Sequence, residues 1–349
     1  MTSSQNLLAP SAPRVSTAVV ILNWNGAKLL REFLPSVIAG TDPAIADVIV
    51  ADNGSDDDSR ALLDGEFAPG VRTLYFDRNY GFAEGYNRAI AALAPEYRYV
   101  VLLNSDVETP SGWLNPLVAF LEANPRVGAV QPKILSYKNR TQFEYAGAAG
   151  GFIDRNGFPY CRGRIFSVCE TDNGQYDEPM PVFWATGAAL TVRAELYRSL
   201  GGLDAKFFAH MEEIDLCWRI LLAGYDIYAV PQGHVYHLGG GSLPAENPRK
   251  TYLNFRNNLL LLHKNLPDAT RRRKLFRRRL LDTVAWAKFV AGLDFANASA
   301  VWRAHRDFRR MAREYSSHPE ADLLDTRPDT RRNILTAFYL HRRRHFSDL

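Results

Sequence analysis

Four short stretches of this chain hold side chains suited to catalysis. Asn104-Ser105-Asp106 follows the apolar run Val100 to Leu103 and precedes Val107-Glu108-Thr109-Pro110. A carboxylate beside two short polar residues can hold a divalent cation through oxygen and so neutralise a diphosphate. A plainer reading also fits, because Thr109-Pro110 has the form of an N-cap and first-turn proline, and Asp106 would then only lead into a helix. Glu212, Glu213 and Asp215 gather at one helix start, where the macrodipole favours negative charge. Dipole and cap service accounts for one or two of the three. His237, in His234-Val235-Tyr236-His237-Leu238-Gly239, can complete a metal or diphosphate site, although an isolated histidine is more often a structural hydrogen bonder. Asp52, in Asp52-Asn53-Gly54, can accept hydrogen bonds from a ribose or base, and the same tripeptide is also a common surface turn.

These residues need elements to place them. Thr17 to Asn23, Val48 to Ala51, Val71 to Phe76 and Val100 to Leu103 read as strands, with amphipathic helical spacing between them at Leu29, Leu30, Phe33, Leu34, Val37 and Ile38 and again after Gly85. Two successive strands end in carboxylates within a β-α-β pattern, which predicts an α/β fold whose parallel sheet has one polar edge. In such sheets ligands bind at that edge. Gly81 and Gly85, with Asn79 and Asn87 around them, would set backbone N–H groups at a helix start where a phosphate or nucleotide can lie. A helix bearing Trp113, Leu114, Leu117, Val118 and Leu121 and a short strand Val127 to Val130 follow. From Ile134 to Pro181 no periodicity is visible, so this stretch is either an acceptor-side insertion or a loop-rich elaboration of the sheet. Gly187 follows in an apolar segment, and Tyr252, Asn254, Arg256 and Asn257 open a late helix.

The chain has 349 residues, 46% of them hydrophobic, which bounds it as an ordinary globular protein. No signal-like start and no membrane-length apolar run is evident, so a cytoplasmic location is expected. Cys161, Cys169 and Cys217 are too few and too far apart for a zinc site or a disulfide framework. The net charge of +4 hides an asymmetry: from Lys264 onward there are 20 Lys and Arg against 10 Asp and Glu, leaving 22 against 28 before it. The basic run Arg271 to Arg279, beside Leu280, Leu281, Val284, Trp286, Phe289 and Val290, suits peripheral contact with an anionic membrane. A basic helix packed on the acidic remainder is the alternative, and nothing resembles a base-reading module for nucleic acid.

In order, Asn23, ADNGSDD, NYGFAEGYN and LLNSD resemble the nucleotide-sugar half of the inverting family 2 glycosyltransferases with a GT-A fold, and particularly the non-processive, rhamnosyltransferase-like members. The resemblance implies a Rossmann-like, mostly parallel sheet flanked by helices over 16–266, with halves 16–133 and 134–266. Around it lie a disordered segment 1–15 and a basic helical extension 267–349. It further implies that Asp52 reads the nucleoside, that Asn79, Gly81, Gly85 and Asn87 line the nucleotide, and that Asn104 and Asp106 match the metal-binding DxD motif, with Asn104 in place of its first Asp. Gly187 matches a glycine beside the donor sugar, with a packing glycine as the alternative. Glu212-Glu213-x-Asp215 matches the ED-x-D motif, whose second acid is the general base; Glu213 stands where Asp is usual, so the assignment is shared between Glu213 and Glu212, while Asp215 orients the acceptor. His237 to Ser242 matches a His-containing loop that contacts metal or diphosphate. Arg256 would neutralise the leaving diphosphate or else form a structural ion pair.

The implied activity is inverting transfer of a sugar from a nucleoside diphosphate donor (dTDP-rhamnose or a UDP-sugar) to a hydroxyl of a glycan or lipid-linked acceptor, with Mg2+ or Mn2+ as the cofactor. A non-catalytic nucleotide-sugar-binding subunit and a sugar-phosphate nucleotidyltransferase are the rival readings. The first draws on the Glu at position 213; the second lacks its Gly-rich basic loop near Ile21 to Gly26.

Overall fold

A computed structural model of the chain describes residues 15–239 and 247–349. The expected disorder of 1–15 and the Gly240 to Ser242 part of the His-containing loop lie outside these residues, Val15 apart.

The first half alternates β1 (Thr17–Asn23), α1 (Ala27–Gly40), β2 (Ala46–Asp52), α2 (Ser59–Asp64), β3 (Arg72–Tyr75), α3 (Phe82–Ala91) and β4 (Tyr99–Leu103). Strands β4, β1, β2 and β3 pair in parallel in that order. The unbroken apolar character of β1 follows from burial on both faces: Ala18 and Val20 join one core with Tyr86 and Leu102, while Val19 and Ile21 join the other with Leu30 and Leu34. Each such buried Val, Ile or Leu side chain contributes about 1.5 to 3 kcal/mol.

Next come β5 (Val107–Glu108), α4 (Asn115–Ala123) and β6 (Val127–Ser136). No helix starts at Thr109-Pro110; its Thr hydroxyl instead donates to the Ser36 carbonyl at 3.1 Å, and the helix begins at Asn115. The expected short strand at 127–130 runs on through Pro132 to Ser136. The stretch that shows no period folds as β7 (Gly151–Ile153), β8 (Pro159–Cys161), β9 (Arg164–Ile165) and β10 (Val168–Cys169), an antiparallel meander of strands too short to display one. After β11 (Met180–Pro181), β12 (Ala189–Arg193) enters the main sheet antiparallel to both β4 and β6. Helices α5 (Ala194–Ser199) and α6 (Glu212–Leu222) precede β13 (Asp226–His237), which pairs in parallel with β6 and antiparallel with β5 and β11. The sheet is therefore mixed, its parallel half facing the chain's start.

Helices α7 (Pro248–Asn265), α8 (Asp268–Ala291) and α9 (Phe295–Met311) follow, and the chain runs on through the short α10 (Leu323–Thr326). The helical extension is present, but no separate core divides it from what precedes it at 266. Phe308, Leu324, Ile334 and Phe346 bury into the same core as Phe152 and Tyr160, and the Phe346 N–H donates to Glu170 Oε1 at 2.7 Å. Among the described residues no helix is long and apolar enough to cross a membrane.

Candidate active site

The β5–β13 pairing sets Val107 opposite His237, and the Leu238 N–H donates to the Asp106 carbonyl at 3.0 Å. Two side chains 131 residues apart thereby meet: His237 Nε2 lies 3.1 Å from Asp106 Oδ1. Asn104 Nδ2 is 3.4 Å from the same nitrogen, and the other ring nitrogen is 3.2 Å from Glu144 Oε2. Burial alone would lower the imidazole's pKa, but the Asp106 and Glu144 carboxylates outweigh it and raise it to about 10. Burial pushes Asp106 the opposite way, and the bond to His237 wins, holding it below the usual carboxylate range.

Asn104 Oδ1 is buried without a hydrogen-bond partner, directly beside this pair. An orphaned amide oxygen and a carboxylate form an oxygen pair that fits a divalent cation, and the imidazole, backed by a second carboxylate, joins them only when a cation displaces its Nε2 proton. Among the described residues no group of three or more His, Cys, Asp or Glu could hold one. Donor phosphate oxygens would have to complete the shell. Glu144 was not foreseen. It sits in the aperiodic stretch, and only its closure over β13 gives it a role.

The nucleotide-side expectations divide. Asp52 is fully buried, and its carboxylate accepts from Asn23 Nδ2 at 3.1 Å and from the Ser55 N–H at 3.0 Å. It shapes the turn rather than facing outward. Asn23, also fully buried, braces Asp52 and Ser55. Asn53, which the sequence did not single out, ties that turn to the next loop: its Nδ2 donates to Asn79 Oδ1 and the Gly81 carbonyl, and its Oδ1 accepts from the Tyr80 N–H. Gly81 is left-handed, with φ of 82°, where a side chain would be strained. Two expectations are corrected. Asn87 is consumed by Leu203 and the Tyr197 hydroxyl, so it joins α3 to the 203 loop instead of meeting a nucleotide. Gly85 is a packing glycine: a Cβ there would come within 2.7 Å of Leu22.

The acidic cluster hangs on a strained turn. Phe208, His210 and Met211 all adopt positive φ, at 67°, 69° and 75°, immediately before α6. Asn257 Nδ2 binds the carbonyls of Phe207, Ala209 and His210 at 2.9, 2.8 and 2.7 Å. Arg256 Nη2 donates to the Phe207 carbonyl at 2.7 Å, and its Nε to Asn257 Oδ1 at 2.8 Å. Among the described residues Arg256 makes no ion pair; its guanidinium secures this turn. Asp215 is also corrected. It is fully buried and saturated by Arg219 and Lys264, both at 2.9 Å, and Asn265 at 2.8 Å, which leaves nothing for an acceptor.

Glu212 and Glu213 each keep one buried oxygen without a partner. Burial drives Glu213 up to about 7, and burial plus the neighbouring Glu213 charge drives Glu212 well above the ordinary value. Glu212 is buried, whereas Glu213 is partly open and lies against Gly187. A Cβ on Gly187 would sit 3.6 Å from Glu213 Cβ, an ordinary contact, so packing does not demand glycine there. One residue further on, the Ala188 carbonyl accepts from the Asn104 N–H at 3.0 Å. Glu213 therefore stands across Gly187-Ala188 from the Asp106 cluster, at the end of the sheet that carries both. A carboxylate that keeps its proton up to about pH 7 can, once ionised, take a proton from an incoming hydroxyl.

Residues 18–179 match the family model described as Glycosyl transferase family 2. The N-acetylglucosaminyl-diphospho-decaprenol L-rhamnosyltransferase of Mycobacterium tuberculosis (strain ATCC 25618 / H37Rv) is 28% identical over 233 residues, covering 63% of this chain and 75% of that protein. The structure of S. aureus TarS 1-349 in complex with UDP-GlcNAc superposes with a TM-score of 0.56 at 14% identity, over 84% of this chain and 80% of that one. That of GalNAc-T7 with UDP, GalNAc and Mn2+ also gives 0.56, at 18% identity, over 73% of this chain and 48% of that one. The chain spans about half the length of the latter.

Proposed function

We propose that this glycosyltransferase, whose residues 18–179 form a family 2 domain on a GT-A fold, moves a sugar with inversion from a nucleoside diphosphate donor to a hydroxyl of a glycan or lipid-linked acceptor during cell-surface polysaccharide synthesis. The observation that carries the reading is the placement of Glu213 across Gly187-Ala188 from Asp106, His237 and Asn104. Asp106 and His237, with Asn104, would hold the Mg2+ or Mn2+, whose charge offsets that of the diphosphate when bound. Glu144 keeps the His237 ring oriented from its far nitrogen. Glu213 accepts the acceptor's proton as its oxygen attacks the anomeric carbon from the face opposite the diphosphate, the bond from that carbon to the diphosphate oxygen breaks, the nucleoside diphosphate leaves, and no covalent intermediate forms. Glu212, deeper and harder to ionise, supports that acid rather than replacing it. The likeness to a rhamnosyltransferase supports dTDP-rhamnose as the donor and a lipid-linked glycan as the acceptor.

The test is a melting-temperature screen against dTDP-, UDP- and GDP-sugars with and without Mn2+, followed by transfer to a soluble acceptor and assignment of the product's anomeric configuration. A shift that requires both metal and one nucleotide class, lost in Asp106→Ala, is expected. Hydrolysis-free binding without any transfer would favour the non-catalytic subunit.

A further inference from the structure

Only Arg278 and Asp282 of the 24 residues in α8 are buried. They root the α8–α9 hairpin on the body: Arg278 binds Asn258 of α7 and the Gly157 carbonyl, Asp282 accepts from Arg278 at 2.8 Å, and His305 Nε2 of α9 meets the other Asp282 oxygen at 3.1 Å. Beyond that root the hairpin carries apolar residues outward. Phe276, Leu280 and Val284, four apart on one helical stripe, are 66%, 54% and 68% exposed. Trp302 on α9 is also exposed, and Leu293 and Phe295 at the tip more so than most. Phe276, Leu280, Trp286, Val301 and Trp302 line a groove of about 460 Å³ between the helices, rimmed by Arg279 and Arg309. Among the described residues Arg272, Arg277, Arg279 and Arg309 make no ion pair.

We propose that this hairpin seats the chain on an anionic lipid bilayer, its apolar groove entering the headgroup boundary and its unpaired arginines meeting lipid phosphate. Exposed Leu, Val, Phe and Trp interleaved with Arg match what an interfacial helix presents to such a surface. A second copy of the chain would set its own arginines against these and repel them, and a nucleic acid would leave Leu280, Val284 and Leu293 unsatisfied. The surface deepens the lipid-linked acceptor reading and rests on it for its purpose. Because α7 both follows the His237 strand and holds the Arg278 root, a docked hairpin keeps the site at a fixed place above the lipid.

The full chain is sedimented with phosphatidylcholine vesicles, with and without phosphatidylglycerol, and its transfer to a soluble acceptor is measured in parallel. Binding that needs phosphatidylglycerol and weakens with salt is expected. It should fall at least about tenfold in Arg272→Gln/Arg277→Gln/Arg279→Gln and in Trp286→Ser/Trp302→Ser, with melting temperature and soluble transfer unchanged. Equal binding to neutral vesicles, binding untouched by both variants, tighter binding to a duplex oligonucleotide, or a dimer that Trp302→Ser dissolves would overturn the docking proposal. Loss of soluble transfer in the unaltered chain, with vesicle binding intact, would instead overturn the functional reading.

Discussion

Glu213 holds its proton more tightly than an ordinary glutamate because burial penalises its charge and no cation stands against it. Its pKa near 7 has two measurable consequences. As a base it must be ionised, so kcat/KM should climb through mildly acid pH and level off above about 7; a profile flat down to pH 5 would remove it from that role. The sign for stability is opposite. The unfolded chain ionises this group above about 4.5, while the fold still holds the proton, so stability declines as pH rises from 4.5 to 7 and stays lower beyond. Glu213→Gln should therefore melt a few degrees higher than the parent at pH 8, on the order of 2 kcal/mol, and about equally at pH 4, while losing turnover. The acids themselves were legible from their spacing at a helix start. Their division of labour was not, since which of two adjacent glutamates is open depends on the strained approach at Phe208 to Met211.

At the level of elements, the turn before α6 and the first half of α7 form one device. Asn257 offers a single amide group to three carbonyls of a turn that would not otherwise hold its left-handed residues. Asn257→Ala is expected to cut kcat by about ten- to a hundredfold with donor KM little changed, because the base drifts while the Asp106 cluster stays paired through β5 and β13. A matching rise in donor KM would place Asn257 at the nucleotide instead. The parallel half of the sheet could be read from Thr17 to Leu103 because β1, β2 and β4 are apolar on both faces, with only the edge strand β3 less so. The meander could not, for β9 and β10 are two residues each and owe their place to partners rather than to pattern. Asn87, Gly85 and Asp215 show the converse error, where residues matching a site motif are spent on holding elements together.

For the molecule as a whole, the last segment described is part of the catalytic body. Phe346 packs on Phe152, Tyr160 and Tyr176, so Phe346→Ala should lower stability by about 3 kcal/mol and the melting temperature by several degrees. An unchanged melting curve would show that this tail only rests on the meander. The boundary at 266 marks where the family resemblance ends, while one buried cluster holds residues from both sides of it. That shared core also bears the cost of the left-handed turn, and selection has to weigh the two against each other. His210→Gly would relax one of the three unfavourable conformations and leave the Asn257 clamp with a slacker loop to hold. A library sorted for heat resistance alone should gather such glycines and return robust, sluggish proteins, whereas one sorted for turnover should keep the non-glycine residues at 208, 210 and 211 and accept a lower melting point.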